Sequence, residues 1–219
     1  DDSGLLFSQQ FEDHYFSRDD GRAECAHVFI DGNDLPRRWC HQQRQDGFVV
    51  GELGFGTGLN FLETWRQWQA LRAPGQMLTF VSVEAYPLTV ETAALALVNW
   101  PELDQYATVL LEQWENLHSP IMMDDQTRLH VLAGDAGAMV SQFPLVDAWY
   151  LDGFSPAKNP QMWAPDLMCS LAERTAQGGT FASYTAAGWV RRNLEAAGFT
   201  VEKRAGFAHK RHMIVGWRS

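Results

Sequence analysis

Residues 48–60 read FVVGELGFGTGLN: an apolar run of strand length, a loop with glycine at 54, 56 and 58, then the first residues of an amphipathic stretch. The run FVVGEL (48–53) predicts a short buried strand ending at the glycines. LNFLETWRQWQALR (59–72) predicts a helix, because Phe61, Leu62, Trp65, Trp68 and Leu71 recur near one helical face. Glycines between a strand and a helix let backbone approach a ligand closely. The spacing is GxGxG. A dinucleotide fingerprint, GxGxxG, would put its third glycine at position 59, which is Leu59. The acid that follows in such proteins stands about 20 residues on; here the next candidate is Glu84, 30 residues after Gly54. The loop therefore suits a cofactor that presents no phosphate to it.

Reading outward, strand and helix alternate. MLTFVSVE (77–84) is a strand, and Pro87 opens a helix that ends near Asn99. Pro101 forces a break, with a further helix over 102–116. RLHVLAGD (128–135) is a strand, AGAMVSQF (136–143) a short helix and VDAWYLD (146–152) a strand. After the loop GFSPAKNP (153–160) come a helix over 164–175, a strand over 178–185 and a helix over 187–198 closed by Gly198. Segments 199–205 and 210–217 read as an antiparallel pair. The alternation implies an α/β fold: a mostly parallel, seven-stranded sheet over 47–219 with helices on both faces. Residues 1–46, with the strand-like HVFIDGND, read as a small N-terminal extension or cover.

Four carboxylates fall at four strand ends: Glu52, Glu84, Asp135 and Asp152. One such acid usually caps a helix or forms a turn. Four in register with a glycine loop mark a ligand site, since parallel sheets bind ligands at the carboxyl ends of their strands. Glu52 is placed to bond an amino-acid moiety or the loop itself. Glu84 can accept from two ribose hydroxyls, Asp135 from the exocyclic amine of adenine, and Asp152 stands beside the expected reactive group.

The chain has 219 residues, 46% hydrophobic and 20% charged, the balance of one globular domain or one with an appendage. Wholesale disorder is excluded, and no apolar run reaches the ~18 residues of a membrane helix. The formal net charge is −10, which argues against binding polyanions with the whole surface. Residues 203–219 nevertheless hold Lys203, Arg204, Lys210, Arg211 and Arg218 and no carboxylate. This basic strip reads either as a nucleic-acid face or as solvated strand edges protected by charge. Cys25, Cys40 and Cys169 lie far apart and form no CxxC. They predict free, buried thiols in a reducing, cytoplasmic setting. The opening DDSGLLFSQQ carries no secretory signal. Seven histidines show no HExxH or paired-ligand spacing, so no metal site is expected.

GELGFGTGLNFLETW (51–65), DAWYLDGFSPAKNPQMW (147–163) and GGTFASYTAAGWVRRNLEAAGF (178–199), with AHVFIDGNDLPRRW (26–39) and KRHMIVG (210–216), carry a resemblance. They are similar to the methyltransferase domain of the MnmC family, bifunctional enzymes that modify the tRNA wobble uridine, within the Rossmann-like class I methyltransferases. The resemblance implies S-adenosyl-L-methionine as cofactor, tRNA as partner through its anticodon region, and methylation of the amine of 5-aminomethyluridine, often 2-thiolated. It implies that Gly54, Phe55, Gly56, Thr57 and Gly58, with Glu52 and Asn60, hold the methionine end. It likewise gives Glu84 the ribose, Asp135 and Ala136 the adenine, and Asp152 the acceptor amine. Phe154, Pro156, Lys158, Asn159 and Pro160 would shape the base pocket. Longer members carry a second domain that uses FAD to generate the amine. No second glycine loop is present, so no FAD is expected in this chain. The chain then reads as a stand-alone methyltransferase or an excised domain, with an FAD-dependent oxidase domain or protein acting upstream and no membrane partner.

Alternatives stay open at this point. Phe154 stacks on a flipped base or packs under its loop. Lys158, Arg37, Arg38, Arg191 and Arg192 meet phosphate or are solvated charges. The rival functions are a methyltransferase with another small-molecule or protein amine as acceptor, and a non-catalytic cofactor-binding module.

Overall fold

The computed structural model describes residues 7–8, 13–14, 20–41 and 47–219. Most of the opening DDSGLLFSQQ lies outside the described residues. Phe7–Ser8 (β1) and Asp13–His14 (β2) form a two-residue antiparallel ladder.

The remaining strands are β3 (Phe48–Leu53), β4 (Leu78–Glu84), β5 (Ile121–Asp124), β6 (Thr127–Ala133), β7 (Val146–Leu151), β8 (Thr175–Ser183), β9 (Phe199–Ala205) and β10 (His212–Arg218). They make one eight-stranded sheet in the order β5-β6-β4-β3-β7-β8-β10-β9. β6, β4, β3, β7 and β8 pair in parallel, while β5 on one edge and β10 and β9 on the other run antiparallel. The sheet has one strand more than the seven expected. Ile121–Asp124 is a four-residue edge strand half open to solvent, and its apolar run Ile121-Met122-Met123 is too short to mark a strand.

From β3 the chain moves outward through β4 to β6, then returns to place β7 on the other side of β3. The topological switch lies between β3 and β7, where doubly wound sheets bind ligands. Both strands are almost wholly buried. Alternation along β7 sends Tyr150 into one core and Trp149 and Leu151 into the other. On the first face, α3 (Leu59–Leu71) packs Phe61, Leu62, Trp65 and Trp68 against β4 and the sheet centre. On the second, α7 (Pro165–Glu173) and α8 (Gly188–Ala196) cover Trp149 and Phe181. Seven tryptophans, including Trp65, Trp68 and Trp149, are core residues.

Several local expectations are corrected. HVFIDGND is not a strand. After α1 (Gly21–Cys25) the chain continues as a π-helical stretch, Ala26–Asp31, then turns into α2 (Leu35–Cys40). A short apolar run such as Val28-Phe29-Ile30 has no period that separates helix from strand, and here tertiary packing decides. All three side chains are buried, and Asn33 Nδ2 donates to the carbonyls of Phe29 (2.9 Å) and Trp149 (3.2 Å). Pro87 precedes rather than opens a helix; α4 spans Val90–Leu97 with Thr89 as its cap. Residues 102–116 are broken into a 3₁₀ turn (Pro101–Leu103), α5 (Asp104–Glu112) and a second 3₁₀ turn (Trp114–Asn116). Leu71 falls off the buried face of α3, 38% exposed. Cys25 is buried, but Cys40 and Cys169 are exposed.

Thr89 Oγ1 accepts from the Thr92 amide at 3.3 Å. Thr89→Ala should therefore cost about 1 kcal/mol, read as a lowered denaturant midpoint with unchanged slope.

Candidate active site

The loop after β3 begins at Gly54, whose φ is +94°. A Cβ there would lie 2.9 Å from the carbonyl oxygen of Asp152. The glycine loop and the end of β7 thus meet backbone to backbone, which only glycine permits at that φ. Gly58 closes the loop as the left-handed N-cap of α3.

Beyond these strand ends opens a cavity of about 1060 Å³. It is lined by Gly54, Phe55, Gly56, Thr57, Asn60, Glu84, Asp135, Ala136 and Asp152, and by Phe154, Lys158, Asn159 and Pro160 from the loop after β7. The volume has room for a nucleoside-sized ligand and part of a second one. Glu52, Gly58 and Pro156 do not line it: Glu52 and Pro156 are buried behind the wall, and Gly58 supports the loop.

Glu84 is fixed by two backbone amides. Gly56 donates to Oε2 and Tyr86 to Oε1, each at 2.9 Å. Each oxygen keeps a lone pair for a vicinal diol. Asp135 caps α6 (Ala136–Met139): Oδ1 accepts from the amides of Gly137 (2.9 Å) and Ala138 (3.3 Å). Asp135 lines the cavity, and its Oδ2, which neither of these bonds uses, can still accept from a ligand.

Asn60 ties the site together. Its Nδ2 donates to Glu52 Oε1 at 2.9 Å and to Asp152 Oδ2 at 2.6 Å. The second oxygen of Glu52 accepts from Ser82 Oγ at 2.7 Å. Burial pushes the Glu52 carboxyl well above the usual carboxylate range, against the hydrogen bonds from Ser82 and Asn60. Burial also raises Asp152, to about 7; the Asn60 hydrogen bond pulls the other way, Glu24 adds to the rise and Lys210 opposes it. A carboxylate at the end of β7 is thus held in one orientation and poised to exchange a proton near neutrality.

These residues fit S-adenosyl-L-methionine. The glycine cradle admits no side chain at Gly54, an anchored carboxylate stands at the β4 end for a ribose, and the acidic lining favours a cationic ligand. Among the described residues no group of three or more His, Cys, Asp or Glu could hold a metal ion.

Other residues of the wall were not among the expected site residues. Glu24 and Cys25 come from α1, Phe29 from the π-helical stretch, and Phe207 and Lys210 from the β9–β10 connection. Cys25 is a buried thiol whose Sγ lies 3.9 Å from the Asn60 carbonyl, and burial pushes it well above the ordinary thiol range. Arg38 belongs to the fold: its guanidinium bonds Thr180 Oγ1 and the Asp147 carbonyl and stacks on Phe48. Arg37 is paired with Asp34, and Arg191 with Glu195 at 3.5 Å.

Comparison with known proteins agrees with this geometry. The bifunctional tRNA 5-methylaminomethyl-2-thiouridine biosynthesis protein MnmC of Chromohalobacter salexigens is 44% identical over 221 residues, covering 99% of this chain and 32% of that protein. Its counterpart in Aeromonas hydrophila is 45% identical over 231 residues, covering 100% of this chain and 34% of the relative. The chain spans about a third of the length of these curated relatives. Among solved structures, MNMC2 of Aquifex aeolicus superposes with a TM-score of 0.80 at 24% identity, covering 97% of this chain and 66% of that one. DesVI of Streptomyces venezuelae superposes at 0.50 with 12% identity, covering 90% and 92%. These two establish the fold. The model of the S-adenosyl-L-methionine-dependent methyltransferases matches residues 101–219, and with the glycine loop and strand-end carboxylates in place the chain belongs to that family.

Proposed function

We propose that this methyltransferase transfers the methyl group of S-adenosyl-L-methionine to the amine of 5-aminomethyluridine, 2-thiolated or not, at the wobble position of tRNA. One observation carries the reading. Asp152, oriented by Asn60, opens into the single cavity that the glycine loop shares with the loop 153–160. The acceptor is supported by the name of the curated relatives, which belongs to tRNA uridine modification.

The bound sulfonium supplies an electrophilic methyl group. Gly54, Phe55, Gly56, Thr57 and Asn60 receive the methionine end, with Glu52 and Gly58 bracing the loop from behind. Glu84 takes the ribose, and Asp135 with Ala136 the adenine. Asp152 accepts hydrogen bonds from the acceptor's N–H groups, aims its lone pair at the reacting carbon, and offsets the positive charge that appears on nitrogen. Phe154, Asn159 and Pro160 form the base pocket, with Pro156 packed under them, and Lys158 meets the RNA backbone. Alignment of acceptor and donor supplies much of the acceleration.

Asp152 must be ionised to accept those bonds. Because its carboxyl is raised to about 7, it is neutral below that pH and charged above it. The acceptor amine must also be unprotonated, so kcat/KM rises with pH on both sides of that value, and its slope should be steeper by about tenfold per pH unit below it than above it. A profile whose slope does not change near that value contradicts the assignment.

An upstream FAD-dependent oxidase domain or protein would generate the amine. The setting is cytoplasmic, and residues 20–41, the longest described part of the N-terminal segment, act as a cover on the domain of 47–219. Among the described residues no helix is long and apolar enough to cross a membrane. The test is to incubate the protein with S-adenosyl-L-methionine and tRNA carrying 5-aminomethyl groups at the wobble uridine, digest, and weigh the nucleosides. The expected product is a single added methyl at that base, formed less well as salt is raised. Methylation of free amines or proteins, with this tRNA untouched, would favour the other acceptor classes.

A further inference from the structure

The end of the cavity beside Asp152 is walled by segments outside both the glycine loop and the loop 153–160. Glu24 of α1 and Lys210 of the β9–β10 connection, 186 residues apart, both line it. Lys210 Nζ donates to Glu24 Oε1 at 2.6 Å. The same ammonium lies 4.4 Å from the centre of the Tyr184 ring. Tyr184 in turn donates its hydroxyl to the carbonyl of Gly153 at 2.6 Å. A continuous line of contacts therefore runs from α1 through the hairpin to the residue after Asp152. The Glu24 side chain is only 12% exposed and that of Lys210 43%. Two exposed partners would be screened to near irrelevance. A nearly buried carboxylate keeps its field, and removing either partner leaves the other's charge uncompensated beside Asp152.

We propose that Glu24 and Lys210 are positioning residues for methyl transfer: their ion pair closes the acceptor end of the cavity, and their opposed charges set the field in which Asp152 receives the amine. The inference rests on the reading of Asp152 given above. Asp152 is bonded by Asn60 of α3, which Glu52 holds from behind. It shares the cavity with Glu24 and Cys25 of α1, Lys210 and His209 of the hairpin, Tyr184 after β8, Lys158 after β7, and Glu84 and Asp135 at the ends of β4 and β6. Of these, Glu24 strengthens the hold of Asp152 on its proton and Lys210 weakens it. A pair that merely fastened α1 to the hairpin would act on stability alone.

The test is a ¹³C NMR titration of the aspartate carboxyls of the whole chain, with Asp152 identified by the signal lost in Asp152→Asn. Glu24→Gln leaves the Lys210 charge unopposed and should move the Asp152 midpoint down by about 0.5–1 unit. Lys210→Met leaves Glu24 unopposed and should move it up by about as much. The double variant should return close to the unsubstituted value, and Lys210→Arg should leave it in place. The acid limb of kcat/KM should follow the same signs. Midpoints that stay put, or that move in one direction for both single variants, overturn the proposal. The titration needs no acceptor, so opposite shifts without any methyl reaching an aminomethyl group would reject the acceptor reading and leave the role of the pair standing.

Discussion

Asp152→Ala should lower kcat for methyl transfer by about 10²–10⁴ while S-adenosyl-L-methionine binds within a few-fold of its former affinity. The carboxylate stands at the end of β7, between the cofactor's cradle and the loop 153–160, and its oxygen is committed to Asn60 rather than to the glycine loop. Removing it takes away the acceptor's hydrogen-bond partner and the negative charge facing the developing ammonium, both felt in the transition state more than in the ground state. The backbone of Asp152, which Gly54 approaches, is unchanged by the substitution. Binding and turnover should therefore separate. Asp152→Asn, which keeps the shape, should be nearly as slow, since an amide cannot offset the charge. Near-normal turnover in either variant would remove Asp152 from the reaction.

Gly54→Ala should do the reverse, losing cofactor binding first. An L-residue held at φ +94° is strained by roughly 1–3 kcal/mol, and its Cβ would sit 2.9 Å from the Asp152 carbonyl oxygen. Either the loop or the strand end must move. Affinity for S-adenosyl-L-methionine, read by calorimetry, should fall at least about tenfold, with a lowered Tm. Gly75→Ala is the control: Gly75 also has a positive φ, +82°, but a Cβ there meets nothing within 4 Å. It should lose stability and leave cofactor affinity alone. Equal affinity losses in the two variants would mean that backbone strain, not the contact with Asp152, is responsible.

The parallel core was legible because its strands are buried on both faces and read as apolar runs, as in FVVGEL and VDAWYL. The acids at their ends were legible for the same reason, since a strand that ends clearly fixes where its next residue stands. What they bond was not. Nothing in the spacing says that Asn60 spans Glu52 and Asp152, or that one oxygen of Asp135 is spent on a helix cap. The π-helical stretch was misread because three apolar residues carry no period. Glu24 and Lys210 were invisible as a pair, because a contact across 186 residues is set by topology rather than by local pattern. The basic strip of 203–219 was read as a surface feature, yet one of its lysines lines the cavity.

The most direct measurement is a crystal structure with S-adenosyl-L-methionine bound. The ribose hydroxyls should lie within hydrogen-bond distance of Glu84, the adenine beside Asp135 and Ala136, and the methyl group should face the space next to Asp152. A cofactor seated elsewhere, or one whose methyl points away from Asp152, would contradict this arrangement.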